Sequence, residues 1–265
     1  MKALPLAVLA ALALGAAARA ADIPVDLSEP LAPKSEHWSY EGPLGLFDRA
    51  ALQRGYQVYK EVCSACHSLN RVAFHDLDGL GFSAAQIKAL AAAAKVPAEP
   101  NDKGETYDSS GERMTRAGIP ADHLPAPFAN EEAARTANGG ALPPDLSLIV
   151  KARAGGAQYV YSILTGFGEK PPHGFTVQTG KYFNPYFAGG NISMPPPLTE
   201  GAVTYSDGTQ ATVEQEAHDV VTFLSWAAEP KMEERKRIGF GVMIFMLVLS
   251  GLLFLTYRRV WRDAH

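Results

Sequence analysis

The sequence predicts a mainly α-helical chain with extensive loops and one transmembrane helix near the carboxyl end. Three observations carry this. Apolar residues recur at helical spacing in stretches near 46–69, 146–167 and 212–230. Residues 96–146 and 167–200 are rich in Pro, Gly and Asn and read as long loops. Residues 238–257, IGFGVMIFMLVLSGLLFLTY, form a twenty-residue run without a charge.

Taken in order, residues 1–20 read as a cleaved signal peptide. Lys2 supplies the positive start, Leu4 to Ala18 is a short apolar run, and Ala18 and Ala20 suit a cleavage site before Ala21. Residues 21–230 form the exported domain, long enough for one core. Over 22–230, 15 Lys and Arg stand against 25 Asp and Glu, a net of −10. The whole chain is only −4, because its ends are basic. In LFDRAALQRGYQVYKEVCSACHSL (46–69), Asp48 is placed to cap a helix, and Leu52, Gly55, Tyr56, Tyr59 and Val62 share one face. A further helix over LSLIVKARAGGAQYVYSILTGF breaks near Gly155 and Gly156. VTYSDGTQAT reads as a hairpin turning at Asp207 and Gly208.

The next helix, 212–230, opens on a capping box of Thr212 and Gln215. Its stripe is Val213, Ala217, Val220, Leu224 and Ala227, and Pro230 ends or kinks it. A basic juxtamembrane segment, 231–237, precedes the membrane helix at 238–257, whose length spans about 30 Å, the thickness of bilayer hydrocarbon. Lys231, Arg235, Lys236 and Arg237 before it nearly balance Arg258, Arg259 and Arg262 after it, so orientation rests on the signal peptide. The expected arrangement is a single pass through a bacterial inner membrane. The domain is then periplasmic and the tail, 258–265, cytoplasmic. Gly239, Gly241 and Gly251 let another helix approach closely. ALAAAA at 89–94 is too short to weigh in this reading.

The chemistry sits in KEVCSACHSLNR, residues 60–71. It holds the only two cysteines, Cys63 and Cys66, followed by His67. C-x-x-C-H is the attachment signature of a c-type haem. The thiols can form thioethers with one edge of the ring, and His67 can ligate the iron from below. A zinc site would need two further ligands at similar spacing, and no other Cys exists. A thioredoxin-like pair would need a βαβ setting. One covalently attached haem c therefore follows. A large rigid ring also accounts for loops longer than a compact domain ordinarily carries.

The second axial position decides between electron transfer and haem catalysis. Met1 leaves with the signal, Met243 and Met246 lie in the membrane helix, and Met232 is expected at the membrane surface. Met114, in GERMTRAG, has only polar surroundings. Met194, in GGNISMPPPLTEG, is followed by three prolines that stiffen its loop. Among the histidines, His75 is too near His67 in sequence, His218 falls on the polar side of its helix, and His37, His123 and His173 sit in loops. A second His would make a lower-potential carrier, and an open position would imply peroxide or gas chemistry.

VCSACHSL, ANGGALPPDLSLIVKARAGGAQYVYSILTGF, YFNPYFAGGNISMPPPL, DGTQAT and HDVVTFLSWAAEPKMEERKRIGF together resemble the cytochrome c1 family, the haem subunits of ubiquinol–cytochrome c reductase (the cytochrome bc1 complex). The resemblance covers most of residues 35–262. It implies a cytochrome c-like haem domain with insertions, and His67 and Met194 as the axial pair. It places Arg153 and Tyr159 at the haem propionates, where a guanidinium suits a carboxylate. Asn138, Pro143 and Pro144 belong to a loop along the haem, and a carbonyl of Pro143 or Pro144 is available to the Nδ1–H of His67.

The implied function is electron transfer, as a subunit of an enzyme whose quinol chemistry lies on cytochrome b. An electron arrives from the mobile Rieske iron–sulfur protein and leaves to a soluble cytochrome c, a basic one given the acidic domain. The implied setting is a dimeric membrane complex of a respiratory or photosynthetic chain; no nucleic-acid partner is expected. Two alternatives remain. Another membrane-tethered cytochrome c would have a smaller domain on a looser tether. A haem enzyme such as a peroxidase would bind carbon monoxide when reduced.

Overall fold

Two helices that cross at a glycine build the centre of the fold. The computed structural model describes residues 29–263; the expected signal peptide lies outside them, as do Ala264 and His265 of the tail. Helix α1, Arg49–Glu61, starts where the Asp48 carboxylate accepts the amide hydrogens of Ala50 and Ala51 at 2.9 and 3.3 Å. Helix α6, Val213–Ala228, starts where the Thr212 hydroxyl accepts the Gln215 amide at 3.2 Å. Where they cross, a β-carbon on Gly55 would stand 2.0 Å from the Asp219 carbonyl oxygen, so only glycine permits the approach. Tyr56, Tyr59 and Trp226 gather around Phe223 with ring centroids 5.7–5.8 Å apart.

Helix α6 is buried on nearly every side, well beyond the expected stripe, and even Glu216 and Asp219 are enclosed. Arg54 of α1 forks onto Asp219 at 2.7 and 2.9 Å and reaches Asp207 at 2.9 Å. That bidentate bond satisfies the buried carboxylate and fixes the register of the two helices.

Helix α1 ends eight residues before the expected limit. The ladder stops after the Val62 amide meets the Val58 carbonyl, and the chain tightens into a 3-10 turn, Cys63–Ala65. The Cys66 and His67 amides then share the Cys63 carbonyl, while the Ser64 hydroxyl bonds back to Lys60.

Residues 70–95, where the sequence predicts no element, and the stretch 96–146 read as loop both hold short elements. A 3-10 segment, Phe74–Leu80, leads to α2, Ala84–Ala93, which includes most of the alanine run. Ser83 and Gln86 cap α2 reciprocally. Strands β1, Lys95–Pro97, and β2, Thr115–Ala117, pair antiparallel at the base of an arm formed by 98–114. Helix α3, Glu131–Ala137, is capped by Asn130. The next helix divides as expected into α4, Ile149–Ala152, and α5, Gly156–Thr165, because Gly155 and Gly156 take left-handed backbone angles (φ +83° and +53°). Strands β3, Tyr182–Phe183, and β4, Asn191–Ile192, form a second small pair.

The hairpin expected at 203–212 is absent. Only a turn forms there, because Val203 and Tyr205 go into the core instead of pairing across a ladder. The Val203 amide donates to Glu216.

Helix α7, Met232–Val260, runs unbroken through both the segment expected to be juxtamembrane and the apolar run. Its most apolar window has a mean hydropathy of 2.6 and buries none of its residues against the domain. Met232 corrects an expectation: it is 6% exposed and packs into the domain core, not against a membrane surface.

Candidate haem site

The 3-10 turn sets Cys63 half-buried and Cys66 exposed, not bonded to each other. Burial pushes the Cys63 thiol up to about 12, and the neighbouring Cys66 adds to the shift. His67 follows with its backbone pinned at both ends: its amide donates to Cys63, and its carbonyl accepts the Tyr59 hydroxyl at 3.2 Å. Its ring nitrogen Nδ1 lies 2.8 Å from the Pro144 carbonyl oxygen. A carbonyl only accepts, so the proton is on Nδ1 and the lone pair of the neutral ring is on Nε2. Burial lowers the His67 pKa; the Pro144 bond and the charge of Asp145 oppose that shift. A neutral imidazole with a free Nε2 is what an iron ligand requires. The donor set therefore fits a covalently attached haem.

The Pro144 carbonyl is aimed by a second layer of bonds that sequence reasoning missed. The Asp145 carboxylate accepts the Ser68 hydroxyl at 2.8 Å and the Asn70 and Ser147 amides at 2.9 Å each. The Leu146 amide donates to the Ser68 carbonyl, and the Arg71 amide to the Ser147 hydroxyl. Residues 67–71 and 144–147 are thereby stitched together across 77 positions of sequence. Burial alone would raise the Asp145 pKa, but these hydrogen bonds outweigh it and hold the carboxyl below its usual range. The visible signal was an Asp two residues before a Ser, the pattern of an Asx turn.

The other expected residues fall on neighbouring elements. The break between α4 and α5 leaves Arg153 exposed in extended backbone and Tyr159 half-buried on the first turns of α5. Burial raises the Tyr159 phenol, and the Arg153 charge pulls the other way. Asn138 caps the end of α3, its amide nitrogen donating to the Ala134 carbonyl at 2.7 Å.

Met194 is half-buried and comes directly off β4. The β3–β4 pair is fastened to α5 by buried Asn184, which donates to the Ile163 carbonyl at 2.8 Å. Beyond Pro195–Pro197 the chain returns to the core at Leu198. Met114 instead belongs to the arm, its amide bonded to Thr106 and its carbonyl to Ala98. His37, His123 and His173 are exposed, as expected of loop residues, and His75 is exposed as well. His218 is not on a solvated face: its ring stacks 4.9 Å from Trp38, and its Nδ1 is 3.9 Å from Asp219. That difference follows from the near-complete burial of α6.

A sequence profile described as the Cytochrome C1 family matches residues 38–264. The chain belongs to the cytochrome c1 family. Within that family it is 46% identical over 268 residues to a cytochrome c1 of Rhodospirillum rubrum, covering 96% of this chain and 94% of that one. It is 49% identical over 223 residues to the mitochondrial cytochrome c1 2, heme protein, of Arabidopsis thaliana, covering 84% and 70%. A longer relative, the cytochrome b/c1 of Bradyrhizobium diazoefficiens, is 48% identical over 254 residues; the match takes in 88% of this chain and 36% of that protein. Membership of the cytochrome c1 family agrees with the mainly helical domain and its apolar C-terminal helix, which fits a membrane anchor.

Proposed function

We propose that this chain is the membrane-anchored, c-type haem subunit of a ubiquinol–cytochrome c reductase. In that role it accepts one electron at a time from a Rieske iron–sulfur protein and passes it to a soluble cytochrome c. The observation that carries this is the His67 ring, bonded through Nδ1 to the Pro144 carbonyl directly after the Cys63/Cys66 pair. A bound c-type haem supplies a reversible one-electron couple. The chain's own residues do the rest. Cys63 and Cys66 hold the ring covalently, and His67 and Met194 are the axial ligands. Arg153 and Tyr159 meet the propionates, and Asn138, Pro143 and Pro144 line one side. The domain lies on the periplasmic side of a bacterial inner membrane, with α7 as its anchor beside cytochrome b in a dimeric complex. Its boundaries, after a signal peptide of 20 residues, follow the expectations above save that Met232 joins the core. The net −10 of residues 22–230 favours a basic cytochrome c as acceptor.

The Met194→Leu holoprotein tests the axial pair. Loss of the thioether should lower the reduction potential sharply and let the reduced protein bind carbon monoxide. An unchanged potential would transfer attention to another ligand. Purifying the solubilised chain with its companions tests the complex: a cytochrome b and an iron–sulfur protein should travel with it.

A further inference from the structure

We propose that the loop Pro43–Leu46 is a second membrane contact, seated in the outer-leaflet interface beside α7. This rests on the reading of α7 as the membrane anchor. The loop carries two large apolar side chains pointed away from the domain: Leu44 is 81% exposed and Leu46 60% exposed. Neither belongs to the buried core, whose nearest members along the chain are Trp38 and Phe47. An isolated exposed leucine needs no explanation, but these two line one cleft of about 640 Å³ with Pro43 and Phe240, a residue of the apolar run, beside Glu233, Glu234, Lys236 and Arg237 of the first turns of α7.

The depth of the loop is set by bonds to the first turns of α7. Lys236 donates its ammonium to the Tyr40 and Gly45 carbonyls at 2.6 and 3.0 Å. The Glu233 carboxylate accepts the Phe47 amide at 2.8 Å and pairs with Arg49 at 2.6 Å. The loop is therefore clasped on both sides to residues just before the uncharged stretch. If α7 enters the bilayer at residue 238, Leu44 and Leu46 stand at the boundary of headgroups and acyl chains. Apolar side chains at that depth gain from burial in lipid, and Arg237 on the cleft rim suits a lipid phosphate. The occupant is phospholipid, because the patch is continuous with the surface of the anchor itself.

The test uses the full-length holoprotein. Both native cysteines are consumed by haem attachment, so Leu44→Cys and Leu46→Cys each present one free thiol for a spin label. Phe240→Cys and Asp108→Cys serve as membrane and water references. In phosphatidylcholine/phosphatidylglycerol vesicles, labels at 44 and 46 should favour collision with oxygen over a water-soluble nickel chelate, as at 240 and opposite to 108. A label at 44 that behaves like 108 while 240 behaves as membrane would overturn the loop proposal. If 240 also behaves as water, the anchor reading itself fails. In the assembled complex, a photoreactive benzophenone side chain introduced at Leu44 should attach mainly to phospholipid. Attachment mainly to another subunit would overturn the proposal by naming a protein as the occupant.

Discussion

Asp145 illustrates how one carboxylate can matter without touching the reacting group. Its three hydrogen bonds hold two chain segments in register, so the carbonyl next to it stays on His67. Glu216 is the opposite case. It is fully enclosed; one oxygen takes the Val203 amide at 3.2 Å and the other has no partner. Burial raises its pKa above the usual carboxylate value. A carboxyl with a raised folded pKa gives stability at low pH that is lost as pH rises from its unfolded toward its folded pKa. The stability of Glu216→Gln relative to the parent should therefore rise across that window, by about 1–3 kcal/mol in all. Chemical unfolding of both proteins from pH 4 to 8 checks this; a gap that does not change with pH would show that Glu216 is ionised in the folded state. At this scale the sequence was readable where chemistry is local. C-x-x-C-H announces itself, whereas a carbonyl of Pro143 or Pro144 for His67, the latter 77 positions away, came only from the family resemblance. The Asp145–Ser147 bond has a local Asx pattern, but Ser68, Asn70 and the Val203 partner of Glu216 lie farther along the chain, where no local pattern announces them.

Among the elements, the α1–α6 crossing has the least tolerance. Gly55→Ala would drive a methyl group to 2.0 Å from a carbonyl oxygen and open the joint that the Arg54 fork secures. Overpacking of this kind should cost at least about 3 kcal/mol. In a domain of this size that lowers the thermal midpoint by roughly 10 °C. Calorimetry of the holoprotein measures it, and a midpoint within a degree or two of the parent would mean the helices can part without penalty. Helices α1, α6 and α7 and the glycine break before α5 were legible because apolar spacing and capping residues agree there. Helix α2 was overlooked although SAAQ is a capping box, since an alanine-rich surface helix has almost no apolar face to read. The supposed hairpin failed for a related reason: a D-G turn signal is local, while Val203 and Tyr205 were claimed by the core.

For the molecule as a whole, the joint between domain and anchor is the feature to test. Glu229 closes α6 and pairs with Lys151 of α4 at 2.9 Å and with Arg235 of α7. Met232 and Glu233 then reach into the domain. A soluble chain ending after Arg237 keeps all of these contacts, whereas one ending after Pro230 keeps only the Glu229–Lys151 pair and loses those of Met232, Glu233 and Arg235. The longer form should be more stable by about 2–4 kcal/mol, chiefly for the buried Met232. Thermal melts of the two exported haem proteins compare them directly; equal midpoints would place the true domain boundary at Pro230. On the function proposed above, a more stable longer form bears on timing in electron transfer. A body moored at its foot by ion pairs and a buried side chain has little slack to swing toward its neighbours. In the proposed complex the diffusive search, with its delays and its sensitivity to crowding, would then fall on the partners free to travel, while this chain kept a constant height above the bilayer.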